Sequence, residues 1–122
     1  MQDIENPFSH VADDIYHAFS FLTELGFQGK ITRNEGWICE VIFESAQFII
    51  YLKFENLAGH FLFSFTNKLT NKNLLMWEYL KSKMNNFNYE NYKPDEFGFY
   101  LKPLKNIAAD FKQEFGKDFE HT

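Results

Sequence analysis

Three side chains near the amino end have the types and spacing of metal ligands. His10, Asp14 and His17 follow one another at steps of four and three residues, so they would share one face of a helix. Two imidazoles and a carboxylate suit divalent transition metals. The same face lies opposite an apolar stripe, where solvated polar residues are expected, and spacing suggests no further ligand. We therefore predict no metal site and no cofactor.

A single thiol is the second candidate for chemistry. Cys39 alternates with Val41 and Phe43, which predicts that it points into the core as a small apolar side chain. A catalytic thiolate needs exposure and a cationic or histidine neighbour. His60 could lie nearby, but no other residue completes a triad, so the core interpretation is favoured.

Two of the three carboxylates Glu40, Glu44 and Glu55 could in principle form a catalytic acid–base pair. At sheet edges and turns they are predicted to be solvated, with no pocket to raise a pKa. Phosphate-binding glycine loops, zinc-ligand pairs and nucleophile elbows are absent from the sequence. We predict no catalytic residue and no enzymatic activity.

Composition excludes two further classes. The 122 residues carry 17 acidic and 12 basic side chains, a net charge of −5, whereas nucleic-acid binders need a basic face. No run of about 20 apolar residues exists, so no membrane span is expected. Residues 1–122 are expected to form one domain. The lone cysteine and an amino end without a secretory signal predict a cytoplasmic protein.

Hydrophobic periodicity predicts the elements that position these residues. Apolar residues at three- and four-residue steps follow a start at Asn6-Pro7 and end at Gly26, which predicts a helix. Two-residue alternation over 37–43, 48–54 and 61–65 predicts antiparallel strands with short connections. A short strand beginning at Ile31 would add a fourth.

Helices are expected to cover the aromatic face of this sheet. Residues 71–86 and a segment from Pro103 to Gly116 have helical periodicity, whereas residues 97–101 fit either a strand or an extended segment. The predicted fold class is α+β: an N-terminal helix, an antiparallel meander of three or four strands, and two C-terminal helices packed on one sheet face.

The second sheet face mixes apolar bulk with charge, a composition suited to a protein interface. It comprises Ile38, Glu40, Ile42, Ile49, Tyr51, Lys53 and Leu62. The alternative, that a helix or a second subunit covers this face, stays open. The aromatic face is not expected to stack nucleic-acid bases, because helices cover it and its surroundings are acidic.

A loop near residue 90 is a second acidic surface. It contains Tyr89, Glu90, Tyr92, Asp95 and Glu96, and tyrosine beside carboxylates suits a basic partner. A solvated loop without function is the alternative.

Three segments carry a family resemblance. They are Leu25-Gly26-Phe27, Val41-Ile42-Phe43-Glu44-Ser45 and residues 111–116. Together they resemble a widespread set of small bacterial proteins, many of which are similar to immunity proteins encoded beside secreted toxins, including contact-dependent inhibition systems. The resemblance implies a protein that neutralises a cognate toxin by stoichiometric binding. The oligomeric state stays open between a monomer and a homodimer.

The acidic balance makes a basic, nuclease-type toxin the expected partner, since complementary charge speeds encounter. The alternative is a small self-associating structural or regulatory module that uses the mixed sheet face. The predicted partner contacts are Glu40, Glu44, Tyr51, Glu55, Tyr89, Glu90, Tyr92, Asp95 and Glu96.

Overall fold

The computed structural model describes residues 10–35, 38–55, 60–94 and 100–120. Five strands form one antiparallel sheet in the order β1-β2-β3-β4-β5. The elements in chain order are α1 (Val11–Ala18), a first 3₁₀ helix (Ser20–Leu25), β1 (Gln28–Asn34), β2 (Ile38–Glu44), β3 (Phe48–Glu55), β4 (His60–Asn67), β5 (Lys72–Leu75), α2 (Met76–Lys83), a second 3₁₀ helix (Tyr89–Tyr92) and α3 (Leu101–Glu120). The predicted α+β class and antiparallel meander are confirmed. The predicted strand number of three or four is wrong.

The fifth strand lies inside the segment predicted as a helix from residue 71. The Asn67 side chain accepts hydrogen bonds from the backbone amides of Leu69 at 2.9 Å and Thr70 at 3.4 Å. Asn71 then adopts a left-handed conformation with φ 59°, which asparagine tolerates. The resulting turn returns the chain along β4, so α2 begins only at Met76.

The ends of the other helices show where glycine stops a helix and where it does not. The single helix predicted to end at Gly26 is instead two elements, because α1 ends at Ala18 and a separate 3₁₀ helix follows; Gly26, at φ 90°, ends that 3₁₀ helix. Gly116 was expected to end α3, but α3 continues to Glu120, since glycine lowers helix stability without forbidding the helix. The predicted helix start at Asn6-Pro7 and residues 97–99 lie outside the described residues, and Leu101 is the first residue of α3.

One aromatic core lies between the helices and one face of the sheet. Phe48, Ile50, Leu52 and Phe54 alternate into it from β3, as predicted. The fully buried Phe111 of α3 is the centre of the aromatic packing: its ring centroid lies 4.9 to 6.2 Å from those of Phe115, Phe65, Tyr79 and Phe19. Residues of α1 belong to this core as well. Helix α1 therefore packs on the same sheet face as the two C-terminal helices, a position that the sequence did not assign to it.

The helices of the described part of the chain include none that is both long and apolar enough to cross a membrane.

Candidate protein-binding face

The side of the sheet turned away from this core is the candidate site, here termed the open face. Ile42, Tyr51, Ser64 and Leu75 pair in register across β2 to β5 and form its central row. Its apolar side chains are absent from the core cluster, to which the buried side chains of all three described α-helices belong. The alternation of β2 and β3 therefore separates two surfaces, one packed against helices and one facing away from them.

Apolar side chains on the open face are partly exposed. Leu62 retains 39% of its accessible surface and Leu75 38%, while Ile42, Ile49 and Tyr51 are half-buried. Ile38, which the sequence also assigns to this face, is buried at 7% exposure. The exposed apolar surface therefore lies towards β3, β4 and β5.

Glu40 connects three neighbouring strands on this face. The Tyr51 hydroxyl donates a hydrogen bond to it from β3, and the Thr32 hydroxyl of β1 lies 3.4 Å from its Oε1 atom. Arg33 Nη1 is 3.9 Å from its other oxygen. Burial, followed by the Glu40 contact, raises the pKa of Tyr51 to about 12, so the phenol is a neutral donor at physiological pH.

The position of Arg33 follows from an irregularity in β1. The pairing register shifts between Ile31 and Arg33, so Arg33, and not Thr32, lies opposite Glu40. Such a bulge inserts one extra residue and re-aims the side chains that follow it. Sequence alternation alone could not assign Arg33 to this face.

The other two predicted carboxylates of the open face also have cationic partners. Lys68 Nζ lies 2.7 Å from Glu44 Oε2, and its hydrogen bond and charge lower the pKa of Glu44. Lys53 Nζ lies 3.0 Å from Glu55 Oε1. The open face brings together Glu40, Glu44, Tyr51 and Glu55, four of the predicted partner contacts, with locally balanced charge.

The predicted acidic loop near residue 90 does not lie on the open face. The second 3₁₀ helix contacts α3, and the Tyr89 ring packs on Trp77 of α2 at 5.3 Å between centroids. Glu90 is 3.7 Å from Lys93, with 73% of its side chain exposed. Tyr89 and Glu90 therefore belong to the helical layer, away from the open face.

The assignment of Tyr92 to a partner surface is wrong. Its side chain is buried at 4% exposure, and its hydroxyl donates to Asp110 Oδ2 at 2.6 Å. Burial and the Asp110 carboxylate raise the pKa of Tyr92 above its ordinary value. Tyr92 thus anchors the loop to α3. Asp95 and Glu96 lie outside the described residues.

Asp14, a candidate metal ligand, and Cys39, the candidate thiol, both take part in the packing of the fold. Asp14 accepts a hydrogen bond from the Tyr100 hydroxyl, a contact between residues 86 positions apart that no local pattern indicates. Within the described ranges, no group of three or more His, Cys, Asp or Glu residues is placed to hold a metal ion. Cys39 is buried, and desolvation raises the pKa of its thiol.

The open face is thus the surface of the described chain on which four of the nine sequence-predicted contacts meet, namely Glu40, Glu44, Tyr51 and Glu55. Comparison of the chain with known protein families, curated proteins and solved structures finds no match. Its function must therefore be inferred from its own surfaces.

Proposed function

We propose that this chain is a cytoplasmic immunity protein that binds a cognate, basic, nuclease-type toxin stoichiometrically through the open face. The observation that carries the proposal is a partly exposed apolar surface on a five-stranded sheet, bordered by charge-paired side chains. Interfaces combine such an apolar centre with a polar rim.

The affinity of the complex would come from the apolar centre. Tyr51 is a half-buried aromatic residue whose hydroxyl is already hydrogen-bonded to Glu40, so little side-chain freedom is lost when a partner covers it. Tyrosines in such positions often dominate binding energy. Leu62 and Leu75 extend the apolar surface towards β5.

Selectivity for a basic partner would come from the charge of the whole chain. The carboxylates of the open face are locally neutralised by Arg33, Lys53 and Lys68, but the net charge is −5. The electrostatic field of this net negative charge attracts a basic toxin at long range and raises the association rate. We therefore expect the association rate, more than the dissociation rate, to fall with added salt.

The test is a titration of the protein against the C-terminal domain of the protein encoded immediately upstream, paired with a toxicity assay. One-to-one nanomolar binding that abolishes toxicity supports the proposal. Absence of binding at micromolar concentration contradicts it.

A matched substitution tests the charge argument. Glu44→Lys would break the pair with Lys68 and add a third cation beside Lys30 and Lys68, so it should slow association. Lys72→Glu changes an exposed lysine in the opposite sense on β5 and should speed association. Equal association rates for both variants would refute the electrostatic part of the proposal.

The charge balance of the open face also favours a second function, a self-associating structural or regulatory module. A locally neutral face can meet its own copy without like-charge repulsion. Light scattering would then give a mass that increases with protein concentration, and Tyr51→Lys would abolish the increase. A monomeric mass at every concentration would eliminate this alternative.

A further inference from the structure

A groove crosses the helical layer, on the other side of the sheet from the open face. It runs between the first 3₁₀ helix and α3 and consists of two adjoining cavities of about 480 and 300 Å³. Both cavities are lined by Phe21, Ala109 and Lys112, so they form one continuous depression. Leu25 and Gly116 line the larger cavity as well. The groove therefore has apolar and small residues along its length.

The charged residues of this groove are mostly cationic. Lys105, Lys112 and Lys117 line it, and Glu24 is the one acidic side chain among the described residues that do so. Lys105 and Lys112 form no ion pair with a described residue, whereas Lys117 lies 3.7 Å from Glu114. Because the whole chain has a net charge of −5, this local excess of positive charge is opposite in sign to the protein around it. We refer to the depression with these three lysines as the lysine groove.

We propose that the lysine groove binds an acidic amphipathic helix of a partner protein. The span from Lys105 to Lys117 covers thirteen residues of α3 and about 18 Å along its axis, which accommodates about three turns of a second helix. Amphipathic helices that enter such grooves use apolar anchors spaced by one turn. Carboxylates on the flanks of the bound helix would pair with Lys105 and Lys112.

The small residues of α3 favour a helix as the occupant. Ala109 is an exposed alanine, and an added Cβ at Gly116 would meet no atom within 4 Å, so a second backbone can approach closely at both positions. Phe21 and Leu25 supply apolar contact on the opposite wall. Lys112 Nζ already lies 5.8 Å from the centroid of the Phe21 ring, which keeps one cation at the edge of the apolar surface.

The net charge of the chain argues against polyanions. Nucleic acid and anionic membranes would meet long-range repulsion from a protein of charge −5. A short acidic helix experiences less of this repulsion, and its apolar face fills the groove.

The test uses a three-turn amphipathic peptide with leucine on one face and glutamate on its flanks as the probe. In amide NMR titrations of the full chain, we expect shifts at Phe21, Ala109 and Gly116 with a Kd below about 1 mM. A peptide of the same pattern with lysine in place of glutamate should produce none. Shifts confined to the open face, equal binding of both peptides, or no shifts at all would overturn the proposal.

Charge reversal provides the matched comparison. Lys105→Glu with Lys112→Glu should weaken acidic-peptide binding about tenfold or more, because two attractions become repulsions. The control, Lys72→Glu with Lys81→Glu, makes the same change in net charge at exposed positions outside the groove. Similar losses in both double variants would overturn a specific role of the groove. So would binding to vesicles of anionic lipid in the absence of peptide binding.

This inference does not rest on the proposed toxin binding. The two experiments use different faces, probes and variants, so failure of one leaves the other standing.

Discussion

Tyr100→Phe should destabilise the fold by about 2 kcal/mol. The Tyr100 hydroxyl donates to the Asp14 carboxylate and thereby joins the start of α3 to α1. A hydrogen bond to a charged group contributes about 1.5–3 kcal/mol, and Tyr100 is half-buried. The substitution retains the aromatic ring that packs 5.8 Å from Phe54, so the loss reports the hydroxyl alone.

The corresponding change in melting temperature follows from chain length. Unfolding entropy near 2.1 cal/mol/K per residue gives about 0.26 kcal/mol/K for 122 residues. A loss of about 2 kcal/mol therefore lowers the Tm by about 8 °C. Calorimetry near neutral pH measures this directly. Tyr89→Phe is the matched control, because the Tyr89 hydroxyl has no hydrogen-bond partner among the described residues, and its Tm should equal that of the wild type.

The pH dependence of this contact has a defined sign. Burial and the Asp14 carboxylate raise the pKa of Tyr100 above its ordinary value of 10.0. The neutral phenol is the stabilising form, so the contribution is complete below about pH 10 and is lost as the pH rises through the folded-state pKa. The Tm difference between wild type and Tyr100→Phe should be constant around neutrality and should shrink at higher pH.

A double-mutant cycle could refute this reasoning. Asp14→Ala and Tyr100→Phe together should cost less than the sum of the single changes, with a coupling near 2 kcal/mol. Strict additivity, or a Tyr100→Phe variant as stable as the wild type, would show that the contact does not stabilise the fold.

Two further predictions concern backbone packing and the thiol. Gly29→Ala would place a Cβ against the buried Phe43 ring and should cost about 1–3 kcal/mol by overpacking. Gly116→Ala in α3 meets no atom within 4 Å and should stabilise the fold by up to about 1 kcal/mol. Urea unfolding that ranks the two variants in the opposite order would contradict the packing. Cys39 is buried and its thiol pKa is raised, so it should react with a disulfide reagent only after unfolding; rapid reaction of the native protein would contradict its position in the core.

The sheet could be predicted where alternation was long enough to detect. Phe48 to Phe54 alternates over seven residues, and Ser45 accepts hydrogen bonds in the short connection between β2 and β3. Strand β5 has four residues, all exposed, so it shows neither a burial pattern nor enough length to separate it from the start of α2. Its pairing with β4 depends on the side chain of Asn67 and the left-handed Asn71.

The candidate site, like the sheet, was predictable from the sequence only in part. Glu40, Glu44, Tyr51 and Glu55 share a face because strand alternation places them there, and that much was predictable. Two of their cationic partners were not: Lys68 lies 24 residues from Glu44, and a register shift in β1 places Arg33 opposite Glu40.

Contacts between elements that are distant in sequence account for the remaining differences between the predicted and the observed surfaces. Tyr92 resembles a surface tyrosine because asparagine and glutamate surround it, yet its partner Asp110 lies on α3, 18 residues away. The lysine groove likewise needs Phe21 of the first 3₁₀ helix beside α3, an arrangement that only tertiary packing creates.

The affinity of Tyr51→Lys for the C-terminal domain of the protein encoded immediately upstream is the most direct measurement of the central proposal, that the open face binds a toxin. Calorimetric titration should give nanomolar one-to-one binding for the wild type and about 30-fold weaker binding for Tyr51→Lys, as expected for loss of an interface tyrosine worth about 2 kcal/mol. Tyr89→Lys, the same change on the helical layer, should bind like the wild type. Equal affinities for Tyr51→Lys and the wild type, or a loss confined to Tyr89→Lys, would contradict the claim.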